Sequence, residues 1–274
     1  MKNSAILLLP MIIIVLFAFV GGRLMASGAI SPTTMIIIAV VAFLLMMLVR
    51  PKKQAPAANA DTSLSLLGNF GKDAFSNDEQ LNAQFQSALS DYVNSMPKAA
   101  QKKLENLQSL CKTDADTYAV SLVLGLVKSS TGDYADAIKL FNRAVILNPT
   151  ADLADLIGST QQRIGELEAA MDSYAFALEL DPDNVGIRAK LATAYVADGD
   201  FIMAIDHAQL VLDRDEKHAS ALATIAICHG CLGHSDLYTG YTARAVENGY
   251  KEEKITATVD ALKKKYKKTI ESLK

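Results

Sequence analysis

Cys228-His229-Gly230-Cys231 is the one stretch whose residue types and spacing could carry covalent chemistry. Two thiols at i and i+3 share a helix face, and His229 and His234 stand near them. A dithiol redox pair or a zinc site needs such proximity, because thiolates must reach one another or a common ion. The sequence around them argues for neither. A thioredoxin-like site belongs to a βαβ setting, whereas the surrounding pattern is helical. A zinc site takes four ligands, and the chain's third cysteine, Cys111, provides no second pair. Cysteine at a tightly packed helix position is ordinarily a small hydrophobe. His207, His218, His229 and His234 form no i, i+4 pair around a Glu, and no phosphate loop, nucleophile elbow or HExxH occurs. No catalytic residue, cofactor or metal is therefore expected, and a thiol oxidoreductase using Cys228 and Cys231 is the rival reading.

The elements that must position these residues come from the rest of the chain. It has 274 residues, half of them hydrophobic, and a formal net charge of −3. That charge is unevenly spread. Residues 1–53 carry +5 and residues 251–274 carry +4, which leaves −12 for 54–250. An acidic middle excludes nucleic acid as the main partner, since phosphate binding needs clustered Lys and Arg. Three cysteines make no disulfide framework and fit a reducing compartment.

Two uncharged stretches, 4–22 and 29–49, are each long enough to cross a bilayer core as a helix. With Gly21, Gly22, Ser31 and Pro32 bracketing a short connection, they predict a transmembrane hairpin over 1–53. A cleaved signal peptide is the alternative for the first span, with Ala26-Ser27-Gly28 as a poor cleavage site. Arg50, Lys52 and Lys53 flank the second span, so the positive-inside rule places everything beyond it in the cytoplasm. Residues 54–75 read as a linker, although Leu64, Leu66, Leu67, Phe70 and Phe75 make its end unusually apolar.

Self-similarity dominates the remainder. "GDYADAIKLF" starts at Gly132, "GELEAAMDSY" at Gly165, "GDFIMAIDHA" at Gly199 and "GHSDLYTGYT" at Gly233, spacings of 33, 34 and 34. Pro149 and Pro182 follow the first two glycines by seventeen residues, and Glu216 stands at the matching place after the third. Before the repeats, 76–112 predicts a helical hairpin or worn repeat, with Ser76 and Glu79 as a capping box and Leu81, Phe85, Leu89, Tyr92 and Met96 as its stripe. Pro97 opens its second helix, with Leu104, Leu107 and Leu110. After the repeats, Ile255, Val259, Leu262, Tyr266, Ile270 and Leu273 predict one amphipathic capping helix over 251–274, with a lysine-rich outer face.

This pattern resembles the tetratricopeptide repeat family over about 118–251. The first copy shows Gly125, Gly132, Ala137, Phe141, Ala144 and Pro149; the second shows Gly158, Gly165, Ala170, Tyr174, Ala177 and Pro182. The third keeps Ala192, Gly199 and Ala204 but has Ala208 for the aromatic and Val211 for the next Ala. The fourth keeps Ala226, Gly233 and Ala245 but has Tyr238 where a small residue belongs. The resemblance implies a solenoid of about four helix pairs over 113–250 with flanking helices, which together with the hairpin predicted above makes an all-α chain.

It further implies a membrane-anchored scaffold that docks a peptide or protein partner along the first helices of successive copies. Their groove positions would be Ala119, Leu122, Leu126 and Ser129 in copy one, and Asp152, Asp155, Ser159, Gln162 and Arg163 in copy two. Ala189, Thr193 and Val196 follow in copy three, and Ala223 and Ile227 in copy four. The expected ligand is an apolar segment carrying a Lys or Arg to meet Asp152 and Asp155. The apolar stretch 64–75 is an internal candidate for the same groove. A structural subunit of a membrane complex, anchored through 4–49, is a further alternative. If the hairpin is present, sealed vesicles with the cytoplasmic side inward protect the repeats from added protease; digestion there overturns the orientation.

Overall fold

The computed structural model describes residues 65–272, which belong to one compact unit, Ala55–Lys274. The stretches 4–22 and 29–49 lie outside the described residues. Among the described residues, no helix is long and apolar enough to cross a membrane.

Every regular element described is a helix. A short α1 (Gly68–Lys72) precedes five pairs: α2 (Glu79–Val93) with α3 (Pro97–Gln108), α4 (Asp114–Thr131) with α5 (Tyr134–Leu147), α6 (Ala151–Ile164) with α7 (Leu167–Leu180), α8 (Val185–Asp198) with α9 (Phe201–Leu212), and α10 (Ala219–Leu232) with α11 (Ser235–Glu247). Then come α12 (Glu252–Lys265) and α13 (Lys267–Ser272). Each helix packs most extensively within its pair, and the pairs stack in chain order. The result is an all-α solenoid of tetratricopeptide-like pairs.

Local chemistry sets the boundaries. The first helices α4, α6, α8 and α10 are capped by Thr113, Thr150, Asn184 and His218, each side chain accepting the N–H three residues on. His218 thus has a structural role. Each of these helices ends on a glycine, Gly132, Gly165, Gly199 or Gly233, at φ between 84° and 91°. That left-handed conformation turns the chain within two residues and favours glycine.

The crossing within a pair depends on tiny side chains. A Cβ on Gly125 would come 2.5 Å from Phe141 Cε1, and one on Gly158 would come 2.8 Å from Tyr174 Cε1 and 3.1 Å from the Ala170 carbonyl. Ala137, Ala144, Ala170 and Ala177 are fully buried at the same interfaces. In the last pair, α10 with α11, the roles shift. Tyr238 occupies the small-residue place, and Gly230 makes room for it: a Cβ there would stand 2.9 Å from the Tyr238 ring.

Four expectations need correction. Residues 65–75 are not a linker: Leu67, Ala74 and Phe75 are buried, because Tyr118 and Phe85 offer them apolar surface. Ser76 does not cap α2; Asp78, two residues closer, accepts from Leu81 N at 3.1 Å and starts the helix at Glu79. Met96 and Leu110 fall beyond the ends of α2 and α3 and are exposed, since their helices stop before the stripes run out. The C-terminal helix is not continuous but breaks at Tyr266.

Gly125→Ala is expected to destabilise the repeat unit by about 1 kcal/mol or more, because overpacking exceeds the gain in helix propensity. Gly240, inside α11, behaves oppositely, since a methyl group added there would meet nothing within 4 Å. Gly240→Ala should stabilise by about 0.5–1 kcal/mol. Urea unfolding followed by circular dichroism reads both; equal signs would contradict the packing.

Candidate docking face

The first helices α4, α6, α8 and α10 form one face, and its solvent access changes along the stack. On α4, Ala119 and Leu122 are fully buried, Leu126 is 5 % exposed and Ser129, near the helix end, is half-buried. On α10, Ala223 and Ile227 are 1 % and 6 % exposed. On α6, Asp152 and Arg163 are exposed, and Asp155, Ser159 and Gln162 are half-buried. On α8, Ala189 and Val196 are buried while Thr193 is exposed. The structure therefore corrects the expectation for Ala119, Leu122, Leu126, Ala189, Val196, Ala223 and Ile227. These are packed in the cores and are not free to meet a ligand.

The chain itself provides the cover over α4. Tyr118 donates its hydroxyl to the Leu66 carbonyl at 2.6 Å, and a Cβ on Gly71 would lie 3.2 Å from the Tyr118 ring. Phe75 N–H donates to Asp116 Oδ1 at 2.7 Å. Asp116 is the hub of this corner. Its Oδ2 accepts from Lys112 N and Thr113 N, each at 3.0 Å, and Thr113 caps α4 in return. Burial is the largest influence on its carboxyl and raises its pKa, but these backbone donors together hold it below the ordinary carboxylate value.

Over α6, and at Lys190 and Thr193 of α8, the face stays open and polar. Lys190 Nζ reaches from α8 to α6 and donates to Asp155 Oδ1 at 2.7 Å and Oδ2 at 2.5 Å. Asp155 is thus already paired, which corrects the expectation that it awaits a partner's cation. Tyr174 donates to Gln162 Oε1 at 2.9 Å and approaches Ser159 Oγ at 3.3 Å. Arg163 donates to the Tyr134 hydroxyl at 3.2 Å and lies over that ring. Asp152, at the start of α6, faces solvent.

The cysteines have no comparable access. Cys228 and Cys231 are buried free thiols. Burial pushes the Cys228 thiol far above its ordinary value, and pushes Cys231 up to about 11 against the lowering influence of Lys263. A nucleophilic or redox thiol needs the opposite shift. His229 and His234 approach each other, Nδ1 to Nδ1, at 3.1 Å, and no group of three or more metal-ligating side chains occurs among the described residues.

Comparison with known proteins agrees with the fold. Residues 151–184, which span α6 and α7, match the tetratricopeptide repeat family model. Tetratricopeptide repeat protein 8 of Caenorhabditis elegans is 24% identical over 193 residues, covering 70% of this chain. The chain spans 38% of that relative's length. Among solved structures, MamA superposes with a TM-score of 0.54 at 21% identity, over 61% of this chain and 96% of its own. YrrB, described as a TPR protein with an unusual peptide-binding site, gives 0.55 at 16% identity, over 67% and 93%. At these identities the likeness is one of fold.

Replacing Asp116 by Asn should loosen the 66–75 cover and cost about 2 kcal/mol at pH 7, since buried N–H groups lose a charged acceptor. Because the folded pKa is lowered, the wild-type advantage is complete above the unfolded carboxylate value near 4 and disappears as pH falls through the folded value. Urea unfolding of both proteins from pH 7 to pH 2 reads this; a constant difference would contradict it.

Proposed function

We propose that this protein is a membrane-anchored scaffold that docks a peptide or protein segment on the open part of its first-helix face. The observation that carries the reading is the graded exposure of that face, buried on α4 and α10 and open and polar on α6. An accessible polar strip between two covered ends favours a short segment lying across α6 and α8. Asp152 would meet a Lys or Arg of the partner, while the Asp155–Lys190 pair, Gln162 and Thr193 would contact its backbone or polar groups. The tetratricopeptide-like fold supports this mode of action, as does the peptide-binding site named for YrrB. The burial of Cys228 and Cys231 speaks against the rival thiol chemistry. Residues 4–49 would hold the scaffold in the bilayer, with the repeats on the cytoplasmic side.

Cross-linking in cells followed by affinity capture tests the docking. Asp152→Lys should remove the partners that the wild type captures. Asp172→Lys, on the exposed side of α7, should retain them. Equal capture by all three proteins would overturn the proposed face.

A further inference from the structure

The C-terminal helices do not continue the stack. In a continuing solenoid the next helix packs on the second helix of the preceding pair, as α8 does on α7 and α10 on α9. Helix α12 instead packs chiefly on α10 and only lightly on α11. It thus lies against the first helix of the last pair. Ile255, Val259 and Leu262 are buried there in one cluster with Ala223 and Ile227. Val259 sits directly on Gly230, where a Cβ would come 2.8 Å from Val259 Cγ2.

The chain then breaks and reaches back one repeat. Tyr266 donates its hydroxyl to the Ala197 carbonyl at 2.6 Å, at the end of α8. Its ring meets Phe201 edge-on, with centroids 6.2 Å apart, and closes over Gly199. Ile270 is buried in the same cluster. The outward residues Lys263, Lys264, Lys267 and Lys268 are exposed. The segment therefore has the form of a bound amphipathic helix. It is joined to the repeats through Asn248–Lys251, where Gly249 adopts φ 90°.

We infer that the first-helix face of the last pair is a helix-docking site, closed by the chain's own residues 252–272. The partner it takes when open is an amphipathic helix with aliphatic residues at i, i+4 and i+7 and an aromatic residue at i+11. This rests on the docking reading above and adds a second, apolar site to it. The resident segment defines the chemistry: Ile255, Val259, Leu262 and Tyr266 have that spacing, and Gly230 leaves a seat for the residue at i+4. Because the resident helix is tethered, it competes at high effective concentration, and an incoming helix sees only the open fraction of the protein.

The test uses the full-length chain in lipid nanodiscs and a fluorescent synthetic peptide with the sequence of residues 252–272. Tyr266→Ala and, separately, Leu262→Ser weaken the resident helix. Each should tighten peptide binding about tenfold over wild type by raising the open fraction. A peptide carrying Ile255→Asp and Val259→Asp should not bind the Tyr266→Ala protein, since these two side chains enter the apolar cluster. Amides of α12 and α13 should exchange with deuterium faster than those of α10. Peptide binding no tighter in either weakened protein, or exchange of α12 and α13 only in step with α10, would overturn the inference. Asp152→Lys should leave peptide binding unchanged. If cellular partners are lost with Asp152→Lys while the peptide results are negative, the docking reading stands and the helix site alone fails.

Discussion

The pairs α4/α5 and α6/α7 are each held at a crossing where one side chain must be a hydrogen. Gly125 under Phe141 and Gly158 under Tyr174 leave no space for even one added carbon. This contact fixes the separation and register of the two helices, and the adjacent aromatic ring fills the gap that close approach leaves. The left-handed glycines at the turns then bring the second helix back against the first. A pair made this way still has an apolar flank, so it must stack on its neighbours. Stacking places α4, α6, α8 and α10 side by side and so creates the face on which the functional reading rests.

The polarity of that face decides where it is covered. The end helices α4 and α10 place Leu122, Leu126, Ala223 and Ile227 on it, and these would cost hydrophobic free energy if left in water. Segment 65–75 joins the cluster that holds Leu122 and Leu126, and segment 252–272 joins the one that holds Ala223 and Ile227. The middle helix α6 places Asp152, Asp155, Ser159, Gln162 and Arg163 on the same face, and these need no cover. Its cluster is small, with four alanines, Ala154, Ala170, Ala177 and Ala194, packed around Tyr174, Ile187 and Leu191.

Short-range features were readable without coordinates. The spacing of Gly132, Gly165, Gly199 and Gly233 predicts the turns, and the small residues that precede them predict the crossings. Tyr238 marks the last pair as irregular, but its accommodation by Gly230 involves a residue outside the repeat signature. The covers are a different matter. They depend on Phe75 with Asp116, Tyr118 with Leu66 and Tyr266 with Ala197, pairs separated by 41, 52 and 69 residues. No periodicity predicts such pairings. Leu122 and Leu126 therefore read as ligand-facing, although an apolar face at the end of a stack is where a cap is needed. The α2 start shows a smaller ambiguity of the same kind: Ser76 and Glu79 have capping-box spacing, but Asp78 forms the cap because it stands next to the first helical residue.

The central claim is that the first-helix face is closed at both ends and open in the middle. Hydroxyl-radical footprinting of the unmodified chain, read by mass spectrometry, tests it without any substitution. The account predicts slow oxidation of Leu122, Leu126 and Ile227, and fast oxidation of the exposed Ile146 and Ile164, which serve as internal references in the same chain. Oxidation of Leu126 and Ile227 as fast as that of Ile164 would contradict it, because both ends of the face would then be open to solvent.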